Sequence, residues 1–338
     1  MDTQALEKIA QSLVQPGKGV LAADESLRST ERRFAKMNLA HTPQNRQAYR
    51  DLMFTTPGLE EFIDGVIMFD ESIRQTTLAG VPFADHLISK GIVPGIKVDG
   101  GFIDMAGFPG EKISEGLDGL GKRLEEYFGM GARFTKWRAV ITIGDVIPTD
   151  ACLHANAFLL ARYAAISQQA GMVPFVEPDV LIEGNHSIQR CEDVTARMLE
   201  ITFNELFTHH VHLEGILLKP NMVLPGKECP DQSNLETIAE ATARTLRRHV
   251  PAAVAGVVFL SGGQGAKPST ERLNAIVRKG PFPWQVSFSY LRALADPACE
   301  VWQGLPENKE VGQKEFYRRA RLVAAARKGD YTPEMEEK

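Results

Sequence analysis

Residues 154–179 read HANAFLLARYAAISQQAGMVPFVEPD, and this stretch contains one complete helix-to-strand unit. Residues 154–170 have a helical pattern that stops at Gly171. Residues 171–179 then form a nearly continuous apolar run, which is typical of a strand buried on both faces of a parallel sheet. If the unit repeats, the chain builds alternating layers of strand and helix.

The unit does repeat: eight runs of this kind occur, each followed by a helix-compatible stretch such as residues 234–249. They are GVLAAD (19–24), DGVIMF (64–69), VPGIKVD (93–99), ARFTKWRAV (132–140), GMVPFVEPD (171–179), LEGILLKPN (213–221), AGVVFLSGG (255–263) and PWQVSFSY (283–290). Eight alternations predict a single α/β domain over residues 1–338, a closed (β/α)8 TIM barrel. The alternative is an open doubly wound sheet, which would favour a GxGxxG turn after the first strand, and the sequence has none there.

The two ends of the chain differ in pattern. The first residues, MDTQALEKIAQSLV, have apolar residues at helical spacing and predict an N-terminal amphipathic helix rather than a signal peptide. The last residues, 326–338 (ARKGDYTPEMEEK), are polar and predict a short, loose C-terminal tail.

Composition excludes several classes of function. No stretch approaches the roughly 20 apolar residues of a membrane helix, and a net charge of −5 argues against nucleic-acid binding. Four separated cysteines without a CxxC pair fit reduced thiols, which predicts a cytoplasmic protein without a disulfide frame or zinc site. His209, His210 and His212 precede the sixth strand, so we expect them at the far end of the barrel, structural or solvated.

Polar residues collect where the predicted strands end, which is the active face of such a barrel. One strand-end charge usually has a solvated or salt-bridged role, but many together are costly to bury without partners. Alternation places Phe134, Lys136 and Arg138 on one face of their strand. The set therefore predicts a catalytic mouth formed by Asp24, Lys97, Lys136, Arg138, Glu177, Asp179, Lys219, Ser261 and Ser289.

Two groups of residues at this mouth have the character of phosphate sites. FLSGGQG (259–265) is a glycine turn after the seventh strand, and Arg292 follows the eighth; loops at these positions often bind phosphate. Ser26, Ser29 and Arg33 after the first strand, with Lys97 opposite, form the second group. Two phosphate sites across one mouth predict a bisphosphorylated substrate.

The chain resembles the class I fructose-1,6-bisphosphate aldolases. The segments that carry the likeness are VLAADES, GIKVD, KWR, VPFVEPD, LLKPNMV, FLSGGQ and SFSY-R, in family order, and the likeness spans residues 1 to about 332. It implies a TIM-barrel lyase of glycolysis and gluconeogenesis that needs no metal or cofactor. It also implies sugar phosphates as substrates and a homotetramer as the assembly.

The resemblance implies a role for each site residue. Lys219 would form the Schiff base, Glu177 would be the general acid/base, Asp24 would orient or deprotonate the C4 hydroxyl, and Lys136 would hold Glu177. A free lysine has a pKa of about 10.4, so burial and the charge of Lys136 must lower the pKa of Lys219 to make it a nucleophile. One phosphate would contact Ser261, Gly262, Gly263, Ser289 and Arg292, and the other Ser26, Ser29, Arg33, Lys97 and Arg138.

Three departures from the family pattern concern substrate preference. Leu291 replaces a common glycine, Leu27-Arg28 replaces a small pair, and Asp179 is shorter than the usual glutamate. Preference between fructose 1,6-bisphosphate and fructose 1-phosphate therefore stays open. The alternatives are a Schiff-base or transaldolase-like enzyme acting on another phosphorylated sugar, a metal-dependent aldolase, and a non-catalytic barrel.

Overall fold

Eight parallel strands close into one barrel in the computed structural model, which describes residues 1–337. The barrel strands are β1 (Gly19–Ala22), β2 (Ile63–Met68), β3 (Val93–Lys97), β4 (Phe134–Ile141), β5 (Val173–Val180), β6 (Leu217–Leu218), β7 (Gly256–Phe259) and β8 (Gln285–Tyr290). Around the barrel the order is β1-β8-β7-β6-β5-β4-β3-β2, which confirms the predicted (β/α)8 architecture. A short antiparallel hairpin, Phe102–Asp104 with Lys112–Ser114, lies outside the barrel.

Helices lie around the barrel, and all but the first come after a strand in the chain. They are α1 (Thr3–Ser12), α2 (Leu27–Lys36), α3 (Pro43–Phe54), α4 (Asp70–Ile73), α5 (Phe83–Ser89), α6 (Leu120–Gly129), α7 (Asp150–Gln169), α8 (Ile188–Thr208), α9 (Leu235–His249), α10 (Ala266–Val277), α11 (Arg292–Trp302) and α12 (Lys309–Lys328). The predicted helix over 154–170 begins earlier, because the Thr149 side chain caps α7 by accepting a hydrogen bond from the Cys152 N–H. None of the helices in residues 1–337 is both long and apolar enough to cross a membrane.

Aromatic rings fill the barrel interior. Phe134 and Phe175, which share the predicted inward faces of β4 and β5, have ring centroids 4.7 Å apart. Gly95 in β3 leaves room for Phe134, since a β-carbon there would clash with the ring. In the pairing of β4 with β5, Lys136 lies opposite Phe175 and Arg138 lies opposite Glu177. The inward faces therefore carry aromatic rings below and charged groups above.

The sixth strand is shorter than predicted. Residues Leu213–Gly215 form a 3-10 turn, and only Leu217–Leu218 pair as a strand. Pro220 has no N–H to donate, although its carbonyl still accepts a hydrogen bond from the Leu260 N–H at 3.3 Å. Toward β5, the side chain of Asn221 accepts a hydrogen bond from the Val180 N–H at 3.2 Å.

The expectation of a loose C-terminal tail is wrong for residues 326–337, while Lys338 lies outside the described residues. α12 runs to Lys328, and Tyr331 is buried. Beyond it, Glu336 accepts hydrogen bonds at 2.6 and 2.7 Å from buried Arg319, which also donates to the Ala266 and Ala293 carbonyls. The polar residues of this segment thus have buried partners that a composition argument does not detect.

Charged residues also lie at the floor, the end where the strands begin. Arg327 donates to the Val14 and Val286 carbonyls at 2.6 and 3.2 Å, joining α12 to the chain before β1 and to β8. Asp64 accepts a hydrogen bond from the Gln15 N–H at 2.8 Å. Burial raises the pKa of Asp64 to about 7, against the weaker effect of that hydrogen bond. These groups hold the closing segments onto the barrel.

Candidate active site

Four charged side chains meet at the mouth of the barrel, two from β4 and β5 and two from the residues just after β1 and β6. Lys136 Nζ lies 2.6 Å from Asp24 Oδ2 and 3.2 Å from Glu177 Oε2, and Lys219 Nζ lies 3.4 Å from Glu177 Oε1. All four residues are buried, Lys219 to 3% exposure. The barrel therefore brings the predicted catalytic residues into one continuous network.

The two lysines of this network differ in proton affinity. Burial lowers the pKa of Lys219; the carboxylate of Glu177 opposes that effect and the charge of Lys136 adds to it. Burial also acts against the charged form of Lys136, but Asp24 and Glu177 outweigh it and raise its pKa. Lys136 therefore keeps its proton in conditions where Lys219 begins to release one.

Asp24 is the fixed anion of the network. Burial alone would raise its pKa, but the ammonium groups of Lys136 and Lys219 hold the pKa near 2. A carboxylate that stays ionised can accept hydrogen bonds and orient a hydroxyl, while serving as a weak base.

The predicted phosphate residues after β7 and β8 lie together. Gly262 and Gly263 have φ of +45° and +76°, which other residues adopt only with strain. A β-carbon on Gly263 would lie 3.1 Å from Arg292 Nη1, so the guanidinium reaches over the glycine turn. Ser261 and Ser289 are buried beside their strand ends, and the Ser289 hydroxyl has no hydrogen-bond partner within residues 1–337. We call Ser261, Gly262, Gly263, Ser289 and Arg292 the phosphate cradle.

The predicted residues after β1 are arranged differently. Ser26 caps α2, and its Oγ lies 3.2 Å from Ser29 Oγ. Arg33 donates to Glu25 at 3.0–3.2 Å and also to Asp296. The structure thus places Arg33 between two carboxylates rather than as a free cation.

Lys97 and Arg138 are also ion-paired. Lys97 Nζ lies 2.5 Å from Asp99 Oδ1, and Arg138 Nη2 lies 2.5 Å from Asp179 Oδ2. Asp99 links the two, because its Oδ2 accepts from the Arg138 N–H at 3.2 Å. A cavity at the mouth is lined by Arg138, Asp179 and Arg292 among others, so this pair faces the same space as the phosphate cradle.

The histidines that precede β6 lie away from this mouth. His209 Nδ1 contacts the Glu205 carbonyl at 2.8 Å, and His212 Nε2 contacts Glu7 Oε1 at 2.8 Å. Across the described part of the chain, no three His, Cys, Asp or Glu side chains are grouped as a metal site requires.

Comparison with known proteins identifies the family. The family model "Fructose-bisphosphate aldolase class-I" matches residues 5–338. The "Probable fructose-bisphosphate aldolase class 1" of Xanthomonas axonopodis pv. citri (strain 306) is 47% identical over 332 residues, covering 98% of this chain and 99% of that relative. This chain belongs to the class I fructose-bisphosphate aldolase family.

Two further comparisons give the same family for this aldolase. The "Fructose-bisphosphate aldolase 4, cytosolic" of Arabidopsis thaliana is 48% identical over 317 residues, covering 94% of this chain and 81% of its own. A crystal structure of fructose-bisphosphate aldolase from Plasmodium falciparum, in complex with TRAP and a small-molecule inhibitor, superposes with a TM-score of 0.96 at 46% identity. That match covers 97% of this chain and 95% of the Plasmodium chain. The chain is accordingly a lyase.

Sequence reasoning about this aldolase missed the carboxylates that pair with its predicted phosphate cations. Asp99 could have been predicted as a partner of Lys97, because it ends the same predicted run and lies two residues further on the same face. Glu25 stands within the quoted segment VLAADES. Asp296 could not have been predicted as a partner of Arg33, since their contact spans 263 positions and depends on how α2 and α11 pack.

Proposed function

We propose that this fructose-bisphosphate aldolase cleaves fructose 1,6-bisphosphate through an imine on Lys219. The observation that supports this most is the buried pair Lys219 and Lys136, in which burial lowers the pKa of one amine while carboxylates raise the pKa of the other. A neutral amine beside a permanent cation is what nucleophilic attack on a ketone needs.

In the first step, the neutral amine of Lys219 attacks the C2 carbonyl carbon, and a proton passes from the attacking nitrogen to the carbonyl oxygen to give a carbinolamine. Glu177, 3.4 Å from Lys219 Nζ, supplies the proton with which that oxygen leaves as water. The product is an iminium whose positive nitrogen can accept electrons. Lys136 keeps its proton and holds Glu177 in place at 3.2 Å.

In the second step, the C4 hydroxyl loses its proton and the C3–C4 bond breaks. The bonding electron pair moves to C3, giving a C2–C3 double bond and a neutral nitrogen, while glyceraldehyde 3-phosphate leaves. With a pKa near 2, Asp24 accepts a hydrogen bond from the C4 hydroxyl and orients it, while Glu177 takes the proton. Protonation of C3 and addition of water then release dihydroxyacetone phosphate and restore the amine of Lys219.

One substrate phosphate would bind the phosphate cradle, where the guanidinium of Arg292 lies over the glycine turn and backbone N–H groups of that turn would be the further donors. The other would bind near Ser26, Ser29, Lys97 and Arg138. Arg33 supports that second phosphate only if it leaves Glu25 or Asp296.

The ion pairs of the second site favour an alternative preference for fructose 1-phosphate. A phosphate there must compete with carboxylates already bound to Lys97 and Arg138. Comparison of kcat/KM for the two sugars distinguishes the cases, since a bisphosphate enzyme has the higher value for fructose 1,6-bisphosphate. Equal values would remove the second phosphate site from the proposal.

The imine is tested by borohydride reduction in the presence of substrate, followed by mass analysis of peptides. We expect the mass of the reduced adduct on Lys219, with none in Lys219→Met and no cleavage activity in that variant. Lys314→Met, which removes an exposed lysine of α12 and leaves Lys219 in place, is the control and retains the adduct. An adduct on any other lysine would overturn the mechanism.

We also propose that the enzyme is a cytoplasmic homotetramer. The family resemblance suggests the assembly, and the location is supported by relatives named cytosolic. Light scattering after size-exclusion chromatography should give the mass of four chains.

A further inference from the structure

Lys227 lies on a loop after β6 that is fixed to the loop after β5. The Lys227 N–H donates to the Ile182 carbonyl at 2.8 Å, and the Gly226 N–H donates to the His186 carbonyl at 2.8 Å. A β-carbon on Gly226 would collide with the Gly184 carbonyl, so only glycine permits the approach of the two loops. The backbone of Lys227 is therefore held at the rim of the barrel mouth.

The side chain of Lys227 extends from this rim to the phosphate cradle. Its Nζ lies 3.1 Å from the point where a β-carbon of Gly263 would be, and Arg292 Nη1 lies 3.1 Å from the same point. Two positive groups, one on the loop after β6 and one at the start of α11, thus lie close to the same glycine. The family resemblance implies no role for Lys227.

The charges around this point are unbalanced. Arg292 has no carboxylate partner within residues 1–337, and Lys227 pairs with Glu183 at 3.1 Å. That pair is open to water, with 47% of the Lys227 side chain and 61% of the Glu183 side chain exposed. An exposed ion pair of this kind contributes little stability, so Lys227 can exchange Glu183 for another anion at small cost.

We propose that Lys227 is a second cation of the phosphate cradle, which leaves Glu183 to bind the substrate phosphate together with Arg292. The proposal rests on the proposed function, since it assigns a specificity residue to the same site. A phosphate ester carries nearly two negative charges at pH 7 and matches two cations, whereas a carboxylate or a singly charged sulfate ester matches one. Lys227 therefore selects dianionic phosphate over single anions.

The test compares four variants by steady-state kinetics with fructose 1,6-bisphosphate and by thermal-shift titration with inorganic phosphate. Lys227→Met should raise KM and weaken phosphate binding roughly tenfold while kcat changes less than about twofold. Lys227→Arg should restore most of the affinity. Lys314→Met, which removes an exposed lysine paired with Glu310 on α12, is the matched charge control and should change nothing.

Glu183→Gln separates this role from a merely structural one. If the Glu183–Lys227 pair only fastens the loops, both partners' variants weaken phosphate binding alike. If Lys227 binds phosphate, Glu183→Gln leaves the affinity equal or higher, because the lysine no longer has a competing carboxylate. The advantage of wild type over Lys227→Met should also shrink below pH 6, where phosphate loses its second charge.

Unchanged phosphate affinity in Lys227→Met, or equal losses in Lys227→Met and Glu183→Gln, would overturn the proposal. The phosphate titration does not depend on turnover. Failure of the imine mechanism would appear instead as a missing Lys219 adduct in wild type, with the effect of Lys227 on phosphate binding intact.

Discussion

Two buried aspartates from neighbouring strands have opposite properties. Asp24 at the mouth is 8% exposed and Asp64 at the floor is 2% exposed, so burial acts against the charge of both. Yet the pKa of Asp24 lies near 2 and that of Asp64 near 7. The difference comes from distance to an ammonium: Lys136 Nζ is 2.6 Å from Asp24, while Lys18 Nζ is 3.9 Å from Asp64 and partly solvated.

The comparison separates buried charge that serves chemistry from buried charge that holds the fold. At the mouth, carboxylates and ammonium groups contact one another, and their protonation states depend on each other. At the floor, Asp64 and Arg327 bond mainly to backbone groups of the closing segments. Substitutions at the mouth should therefore change rates, and substitutions at the floor should change stability.

The largest effect is expected from Lys136→Met, which removes the ammonium beside Asp24. The pKa of Asp24 should rise toward that of Asp64, and the pKa of Lys219 should rise as its neighbouring cation is lost. We expect kcat to fall roughly 100- to 1,000-fold, with the optimum of the pH–rate profile moving upward. A kcat within about twofold of wild type, in a variant with the melting temperature of wild type, would contradict the catalytic role of the charges at the mouth.

The next effect is the pH dependence of Asp64→Asn. The folded pKa of Asp64, about 7, lies above the ordinary value of 3.8, so its protonated form stabilises the fold below about pH 4. That stabilisation is lost as the pH rises through 7. The variant lacks this loss, so its free energy of unfolding should gain on wild type by on the order of 3 kcal/mol between pH 4 and 8. Urea unfolding at several pH values measures it, and a constant difference would count against the raised pKa.

The smallest effect is expected from Arg327→Met. The Val14 and Val286 carbonyls would lose their buried donor, which should lower the free energy of unfolding by about 2 kcal/mol. The value of kcat should stay near wild type, because no mouth residue is touched. Arg321→Met, an exposed arginine on the same helix, is the control for loss of charge. A large fall in kcat with unchanged stability would erase the distinction between the two ends.

The sequence predicted the mouth better than the floor for a physical reason. Lys136 and Glu177 lie on the inward faces of β4 and β5, and Lys219 directly follows β6, so a closed parallel barrel turns all three toward its interior whatever the rest of the chain does. The barrel itself followed from a local repeat, so each unit was visible by itself. Asp64 gave no comparable signal, because its environment is set by Gln15 and Arg327 from the two ends of the chain.

Pairing between distant helices was equally hidden. Arg33 was predicted as a free phosphate cation because its own helix shows no reason for another role, whereas Glu25 and Asp296 reach it only after folding. The same reason explains the wrong expectation for residues 326–337. Their composition is polar, but this polar segment packs because Glu336 pairs with the buried guanidinium of Arg319.

Arg319 gives the last turn of the described chain an influence far from its position in sequence. The two carbonyls that it holds belong to Ala266, just past the glycine turn, and to Ala293, just past Arg292. Glu336 neutralises that guanidinium. Removal of Glu336 by truncation would therefore leave Arg319 without its carboxylate, next to both chain segments of the phosphate cradle. Loss of these last residues should thus weaken the binding of sugar phosphate, although none of them is a catalytic residue.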